Sequence, residues 1–355
     1  MKQDRIETRH KRVNLADAIP LPAPFTVRVD PCGACNFKCV FCPCNQTDYL
    51  AKERHQRMSW DTFQNVLNSM KEWAEIDAKE RPGQELSLKV VDFHGFGEPL
   101  LNPLLPEMIR AVKEAKVCRE VRLVTNGSLL VPELSRKLID AGLDLCRVSI
   151  YALDAEDYRK LCGVKIDTGR IIDNIASFHS LSEGSGSRIS AKIVSTALQT
   201  EAEVQRFHQT YDPITDFAFV EEIGEIWPNY DIKDSNSSSH VAGDAKAFDS
   251  VENRCICAMA FTDMQIHSDG TVSPCSVDWA RELSSGNVNE QSLNRLWHGE
   301  KLRELWLKLL DRSAYTDCIC KDCFAATADR IDAEAQRIAE RIVRQSSAFN
   351  PEQNV

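Results

Sequence analysis

Strand-like and helix-like segments alternate from residue 25 to residue 223, and this predicts an α/β fold built on a parallel sheet, with a second, smaller domain after it. Two further observations support that reading. The chain has 355 residues, enough for a large first unit, a smaller second one and an ample core, although a single domain is open too. Of its 14 cysteines, eleven gather at 32–44, 255–275 and 318–323, so ligand-type residues return after the alternation ends.

The first strand is Phe25-Thr-Val-Arg-Val-Asp30. Ser59 precedes a run in which Phe63, Val66, Leu67, Met70 and Trp73 recur at helical spacing, so it is the expected N-cap of a helix starting at Trp60. A β-rich run over 86–94 comes next, then a helix over 103–117, a strand over 120–125 and a helix over 132–141. The same alternation gives a strand over 143–150, helices over 155–161 and 168–181, a strand over 190–197, a helix over 201–209 and a strand over 215–223. Residues 231–250 are rich in Ser, Asp and Asn with little periodicity, and are read as a domain connection or substrate loop. In the tail, Ile331, Ala335, Ile338 and Ile342 share one face of an expected helix packed on the body. The expected division is an extension over 1–24, a core over 25–230, the connection over 231–250, a second unit over 251–326 and a tail over 327–355.

A net charge of −10 and a pI near 5.4 argue against a nucleic-acid partner, which needs a basic face. No apolar run approaches the roughly 20 residues of a membrane span, and the charged start lacks a signal-peptide core, so the expected location is the cytoplasm. In that reducing compartment the cysteines are expected to be metal ligands or ordinary core thiols.

Five cysteines fall in Cys32-Gly-Ala-Cys35-Asn-Phe-Lys-Cys39-Val-Phe-Cys42-Pro-Cys44. Cys35, Cys39 and Cys42 have the spacing C-x3-C-x2-C directly after the first strand. Three thiolates hold three irons of a cubane and leave the fourth open, where an electron-transfer ferredoxin would close it with a fourth cysteine. Structural zinc, the rival, needs four ligands and prefers C-x2-C pairs. With Phe41 in the aromatic place, the motif resembles that of the radical S-adenosylmethionine (SAM) enzymes. The resemblance implies a partial (β/α)6 TIM-like barrel with reactive groups at the C-terminal strand ends. It also implies a [4Fe-4S] cluster whose open iron binds SAM, reductive cleavage of SAM, and a 5'-deoxyadenosyl radical that abstracts a substrate hydrogen. Cys32 and Cys44 lie outside the triad and are read as spare thiols.

The resemblance assigns further residues. Gly97-Glu98-Pro99 resembles the family's GGEP motif for the SAM amino group, with Phe96 in place of its first glycine. Asn126 and Ser149 end the third and fourth strands where relatives contact SAM, although Asn126-Gly127 is also simply a turn. His94, Tyr151 and Lys192 are in or beside strands and are assigned no role. Cys118 and Cys146 are read as core or surface thiols, while Cys162 is a candidate hydrogen-atom donor to a substrate radical.

After Cys257 come a strand over 261–267, the turn Ser268-Asp-Gly270 and Cys275. With the later Cys318-Ile-Cys320-Lys-Asp-Cys323, this resembles the small α+β auxiliary-cluster domains called SPASM and twitch, nearest the twitch domain of a cyclitol dehydrogenase. The resemblance implies one auxiliary [4Fe-4S] cluster on Cys257, Cys275, Cys320 and Cys323, with Cys255 and Cys318 as rival ligands and zinc as a rival metal. The expected activity is a radical SAM oxidoreductase that oxidises or epimerises a carbon of a sugar or cyclitol and takes electrons from a flavodoxin or ferredoxin. A peptide-modifying enzyme is the alternative, and an iron-sulfur electron carrier or scaffold the alternative of another class.

Overall fold

A computed structural model of the chain describes residues 13–43, 56–221, 255–323 and 331–348. The expected connection over 231–250 and Cys44 lie outside these residues. Six strands, β1 (Thr26–Val29), β2 (Val90–Phe93), β3 (Glu120–Thr125), β4 (Leu145–Ile150), β5 (Arg188–Val194) and β6 (Phe217–Glu221), lie side by side in chain order, each parallel to the next. Helices connect them: α2 (Trp60–Glu80), α3 (Leu105–Ala115), α4 (Pro132–Asp140), α5 (Ala155–Cys162) with α6 (Thr168–Ser182), and α7 (Glu201–Tyr211). A short α1 (Leu15–Ala18) precedes β1. This is the predicted partial barrel: six parallel strands joined by five helical crossovers, in a sheet that does not close, since β6 is an edge.

The sheet does not stop at the expected end of the core. A seventh strand, β7 (Asp263–Ile266), pairs parallel with β1, and β8 (Thr271–Ser273) and β9 (Gly286–Asn287) add antiparallel beyond it. One nine-stranded sheet therefore runs through both parts of the chain, in the order β6-β5-β4-β3-β2-β1-β7-β8-β9. Nothing in the local pattern of 261–267 says which strand it joins, because parallel pairing is a contact between distant segments.

The helix faces are set by spacing. Ser59 caps α2 by accepting from the Thr62 amide at 3.1 Å, and Phe63, Val66, Leu67, Met70 and Trp73 are its buried stripe. α2 runs on to Glu80, about two turns past the expected apolar stretch. The β-rich run over 86–94 keeps only Val90–Phe93 as strand, because the partners on β1 and β3 span only those four rows. In the first three strands the two faces differ in chemistry. Val27, Val29, Val91, Phe93, Val121 and Leu123 are fully buried beneath the helices, and Arg28, Asp92 and Arg122 between them face the opposite, inner side.

The C-terminal part fastens to the barrel through tryptophans and asparagine. α8 (Leu293–Trp297) lies against α2, where the Trp73 indole donates to Asn294 Oδ1 at 3.1 Å. The indole of the fully buried Trp297 donates to the Leu21 carbonyl at 2.9 Å. α9 (Glu300–Leu310) brings Trp306 edge-on to Trp297 and stacks it on Phe261, and α10 (Ala314–Asp317) comes after it. The tail forms α11 (Ala335–Ala348), with Ile338 and Ile342 buried as expected and Ile331 buried just before it. No described helix is long and apolar enough to cross a membrane.

Replacing Trp297 with alanine removes a fully buried side chain and strands the Leu21 carbonyl, so it is expected to cost about 3–5 kcal/mol in urea unfolding.

Candidate active site

The chain leaves β1 at Asp30, whose carboxylate organises the loop beyond it. Its Oδ1 accepts from the Cys32 amide at 3.2 Å and its Oδ2 from the Phe96 amide at 3.4 Å, joining the cysteine loop to the loop after β2. The two loops then touch backbone to backbone. A Cβ at residue 97 would lie 1.8 Å from the Cys32 carbonyl oxygen, and one at residue 95 would lie 2.3 Å from Asp30 Cγ. Gly95 and Gly97 are thus demanded by space, and the Glu98 amide donates to the Ala34 carbonyl at 2.8 Å beside them. Phe96 occupies the place of the motif's first glycine because its ring has its own seat, stacked on His267 at 5.7 Å.

On its other side the cysteine loop rests on the end of α5. The amides of Lys38 and Val40 donate to the carbonyls of Cys162 and Leu161, both at 2.8 Å, which satisfies acceptors that a helix end leaves open. Gly163, left-handed at φ 62°, lets the helix stop there, and a Cβ on it would come within 3.1 Å of Lys38 Cβ. Cys35 is exposed and accepts from the Phe37 amide at 3.4 Å, Cys39 is buried, and Cys42 is half-buried beside Phe96 and Trp279. A hydrogen bond with Cys162, together with burial, pushes the Cys39 thiol far above its usual range, and Cys42 and Cys35 add repulsion. Thiols in such a setting ionise only when a cation is bound. Cys162 is fully buried against Cys39, so that placement gives no support to its expected role as hydrogen-atom donor.

The other expected SAM contacts gather at this end of the sheet. Phe41 lies 5.6 Å from the Tyr151 ring. The Glu98 carboxylate is buried and fully engaged by protein: Oε1 accepts from Thr125 Oγ1 at 2.6 Å and the Leu100 amide at 3.1 Å, and Oε2 from the Asn126 amide at 2.8 Å. Its burial raises its pKa in spite of those three donors. What Gly97-Glu98-Pro99 presents to a ligand is therefore main chain, with Pro99 starting a 3-10 turn. Asn126 donates to Asn36 Oδ1 at 2.8 Å and so ties β3 to the cysteine loop, while Ser149 is buried on β4 beside Lys192.

The second cysteine group lines one cavity. Cys255, Cys257, Cys275, Cys320 and Cys323 all face it, with Met259 and Tyr315. Desolvation raises Cys257 to about 11 and Cys275 well above the usual thiol range, and the thiols of Cys257, Cys275 and Cys323 repel one another. Cys275 accepts from the Val277 amide at 3.3 Å, the counterpart of Phe37 and Cys35 in the first loop. The Cys318 thiol lies just behind this wall, donating to the Ala314 carbonyl at 3.1 Å and hydrogen-bonded to the Cys320 thiol, a contact that lowers its pKa to about 6. The Tyr315 hydroxyl accepts from the Cys257 amide at 2.9 Å and donates to the Cys255 carbonyl at 3.1 Å, so it fixes the backbone between the two rivals. Among the described residues no three His, Cys, Asp or Glu converge on a point that one ion could occupy. Thiols are the donors that iron-sulfur clusters take, and both cysteine groups thus suit such clusters.

Sequence reasoning missed the residues that join the two cysteine groups. Phe96, His267 and Trp279 meet where the cysteine loop touches the segment after β8, and His267 reaches Ser273 Oγ at 3.3 Å, which donates to Asp278 at 3.0 Å. Only the departure from glycine at residue 96 signalled that something else fills that place.

Comparison with known proteins agrees with this arrangement. The family profile described as the Radical SAM superfamily matches residues 29–191, and that of SPASM, an iron-sulfur cluster-binding domain, matches 255–324. The chain is 32% identical over 149 residues to a probable GTP 3',8-cyclase of Sulfolobus acidocaldarius, covering 42% of this chain and 41% of that one. It is 34% identical over 138 residues to the corresponding protein of Metallosphaera sedula, covering 39% and 38%. The chain thus spans about two-fifths of the length of these curated relatives. Among solved structures it resembles BtrN in complex with AdoMet and 2-DOIA (TM-score 0.55, 15% identity, 87% of this chain and 96% of that one). It also resembles anSMEcpe with bound AdoMet and a peptide (0.57, 14%, 92% and 100%) and SuiB of Streptococcus suis bound to S-adenosylmethionine (0.57, 18%, 88% and 75%). At these identities the likeness is one of fold.

Gly97→Ala forces apart the two loops that carry the triad and the Gly-Glu-Pro turn. The expected result is a loss at or above the upper end of the roughly 1–3 kcal/mol typical of overpacking, read in urea unfolding, and a lowered iron content after reconstitution.

Proposed function

From the premise that this chain belongs to the radical SAM superfamily and carries a SPASM domain, with a SAM-binding [4Fe-4S] cluster and an auxiliary iron-sulfur cluster as its cofactors, we propose that it oxidises a carbon–oxygen centre of a sugar- or cyclitol-type molecule. When bound, the first cluster and SAM supply a radical that removes a substrate hydrogen atom, and the auxiliary cluster supplies an acceptor for the remaining electron. In this proposal Cys35, Cys39 and Cys42 hold the first cluster, and the main chain at Gly97-Glu98 and the side chains of Asn126 and Ser149 border SAM. Cys257, Cys275, Cys320 and Cys323 hold the second cluster. Cys255, on the cavity wall, and Cys318, whose thiol is hydrogen-bonded to that of Cys320, stay as the rival ligands.

The observation that carries the oxidation reading is the place of Cys275. Gln265 on β7 pairs with Ser273 on β8, and Cys275, two residues beyond that strand's end, lies near Arg28, which faces the inner polar side of the sheet. An electron acceptor there adjoins the interior in which the inner residues of the strands meet. The peptide-modifying reading has no comparable feature among the described residues.

The test is anaerobic reconstitution with iron and sulfide counts and assay of 5'-deoxyadenosine from SAM under dithionite. Wild type is expected to hold about eight irons, and the Cys35, Cys39 and Cys42 triple alanine variant about four with no nucleoside. Cys275→Ala is expected to hold about four irons and to keep nucleoside formation. Zinc in place of iron, or no 5'-deoxyadenosine from the fully loaded chain, would return it to the scaffold class.

A further inference from the structure

We infer that the inner face of the sheet is a binding site for a small, polyhydroxylated ring without phosphate groups, held by Asp92, His94, Arg147 and Gln265. This rests on the reading of the chain as a radical SAM enzyme with a small-molecule substrate and deepens it by naming the residues and the ligand chemistry. The register places Gln265, Arg28, Asp92 and Arg122 in one row across β7, β1, β2 and β3. Arg147 pairs with Ser190, and Ser149 with Lys192, on β4 and β5. His94 lies two residues beyond Asp92, where β2 ends toward the cysteine loop.

On this face Asp92 Oδ1, His94 Nδ1, Arg122 Nε, Arg147 Nε, Ser190 Oγ and Gln265 Oε1 are buried with no hydrogen-bond partner. Folded chains rarely leave buried polar atoms unmet, and six on one interior face mark a place where something else supplies the partners. Arg28 is paired with Asp263, Arg122 with Glu120 at 2.7 Å and Lys192 with Glu221 at 2.6 Å. The Asp92 carboxylate and the Arg147 guanidinium have no ion-pair partner among the described residues.

The unmet set contains one carboxylate, two guanidiniums of which that of Arg122 is already balanced by Glu120, an amide oxygen, a hydroxyl and an imidazole whose pKa burial lowers to about 4, so that it is neutral near pH 7. Its net charge is about zero. A ligand that satisfies it must both donate and accept, which hydroxyl groups do. The set comes from β2, β3, β4, β5 and β7, so the ligand must offer such groups around its whole perimeter, as a polyol ring does and an extended chain does not. A triphosphate would bring several negative charges against Asp92 with only one unpaired cation to receive them. Cys275 borders the same face, which puts the bound ring next to the proposed electron acceptor.

The test is calorimetric titration of the reconstituted full chain, with SAM present, against inositols, hexoses, aminohexoses, GTP and a hexapeptide. At least one polyol is expected to bind wild type, and Asp92→Asn, Gln265→Leu and His94→Ala are each expected to weaken it at least tenfold. Iron content and near-ultraviolet circular dichroism confirm that each variant has folded, and three variants from two separate segments keep the test open should one fail. Binding of GTP or the peptide alone, no polyol binding, or folded variants that bind as wild type does would overturn the inference. Polyol binding without 5'-deoxyadenosine formation would uphold the site and sink the radical reading instead.

Discussion

The contact between the cysteine loop and the Gly-Glu-Pro turn decides the geometry of everything around it. Gly97 lies so close to the Cys32 carbonyl that no side chain fits between them, and Asp30 holds the same two loops together through the amides of Cys32 and Phe96. From that junction Glu98 reaches across to Thr125 and Asn126, and Asn126 returns to Asn36 in the cysteine loop. The ends of β1, β2 and β3 thus form a closed ring of hydrogen bonds. A buried carboxylate in such a ring is stable only because three donors meet it, and the ring in turn sets where three cysteines point.

The strands divide the labour between stability and chemistry by their two-residue period. Their outer residues are Val, Ile, Leu and Phe under the helices, and this face supplies the apolar burial. Their inner residues mix apolar ones such as Val90, Leu145 and Phe219 with Arg, Asp, His, Ser, Lys and Gln, several of these paired across neighbouring strands and several with buried atoms unmet. A parallel sheet that served only as scaffold would be apolar on both faces. The polar inner face is a cost to folding that an interior ligand would offset.

The C-terminal part extends this plan. β7 adds to β1 on the side away from β2, so that strand gains neighbours on both sides and Arg28 gains Asp263. The hairpin through Gly270 then brings Cys275 to the second cysteine cavity, and the loop after it brings Trp279 to Cys42 and Phe96. Two cysteine groups more than 200 residues apart in the chain are thereby held on one rigid frame.

By itself the sequence determined the α/β alternation, the helix cap at Ser59 and the two sets of cysteines, because spacing, capping and local thiol patterns are written within a few residues of one another. It also offered Gly97, Glu98 and Asn126 as candidates, although not their parts: that Gly97 is a matter of space and that the Glu98 carboxylate is spent on protein donors depend on residues tens of positions away. Only the tertiary structure decided that β7 continues the barrel sheet, that Cys162 is packed behind Cys39, and that Asp92, His94, Arg147 and Gln265 face one interior. Each of these is a contact between segments far apart in the chain, and strand order and register, which create such contacts, leave no mark on any single segment.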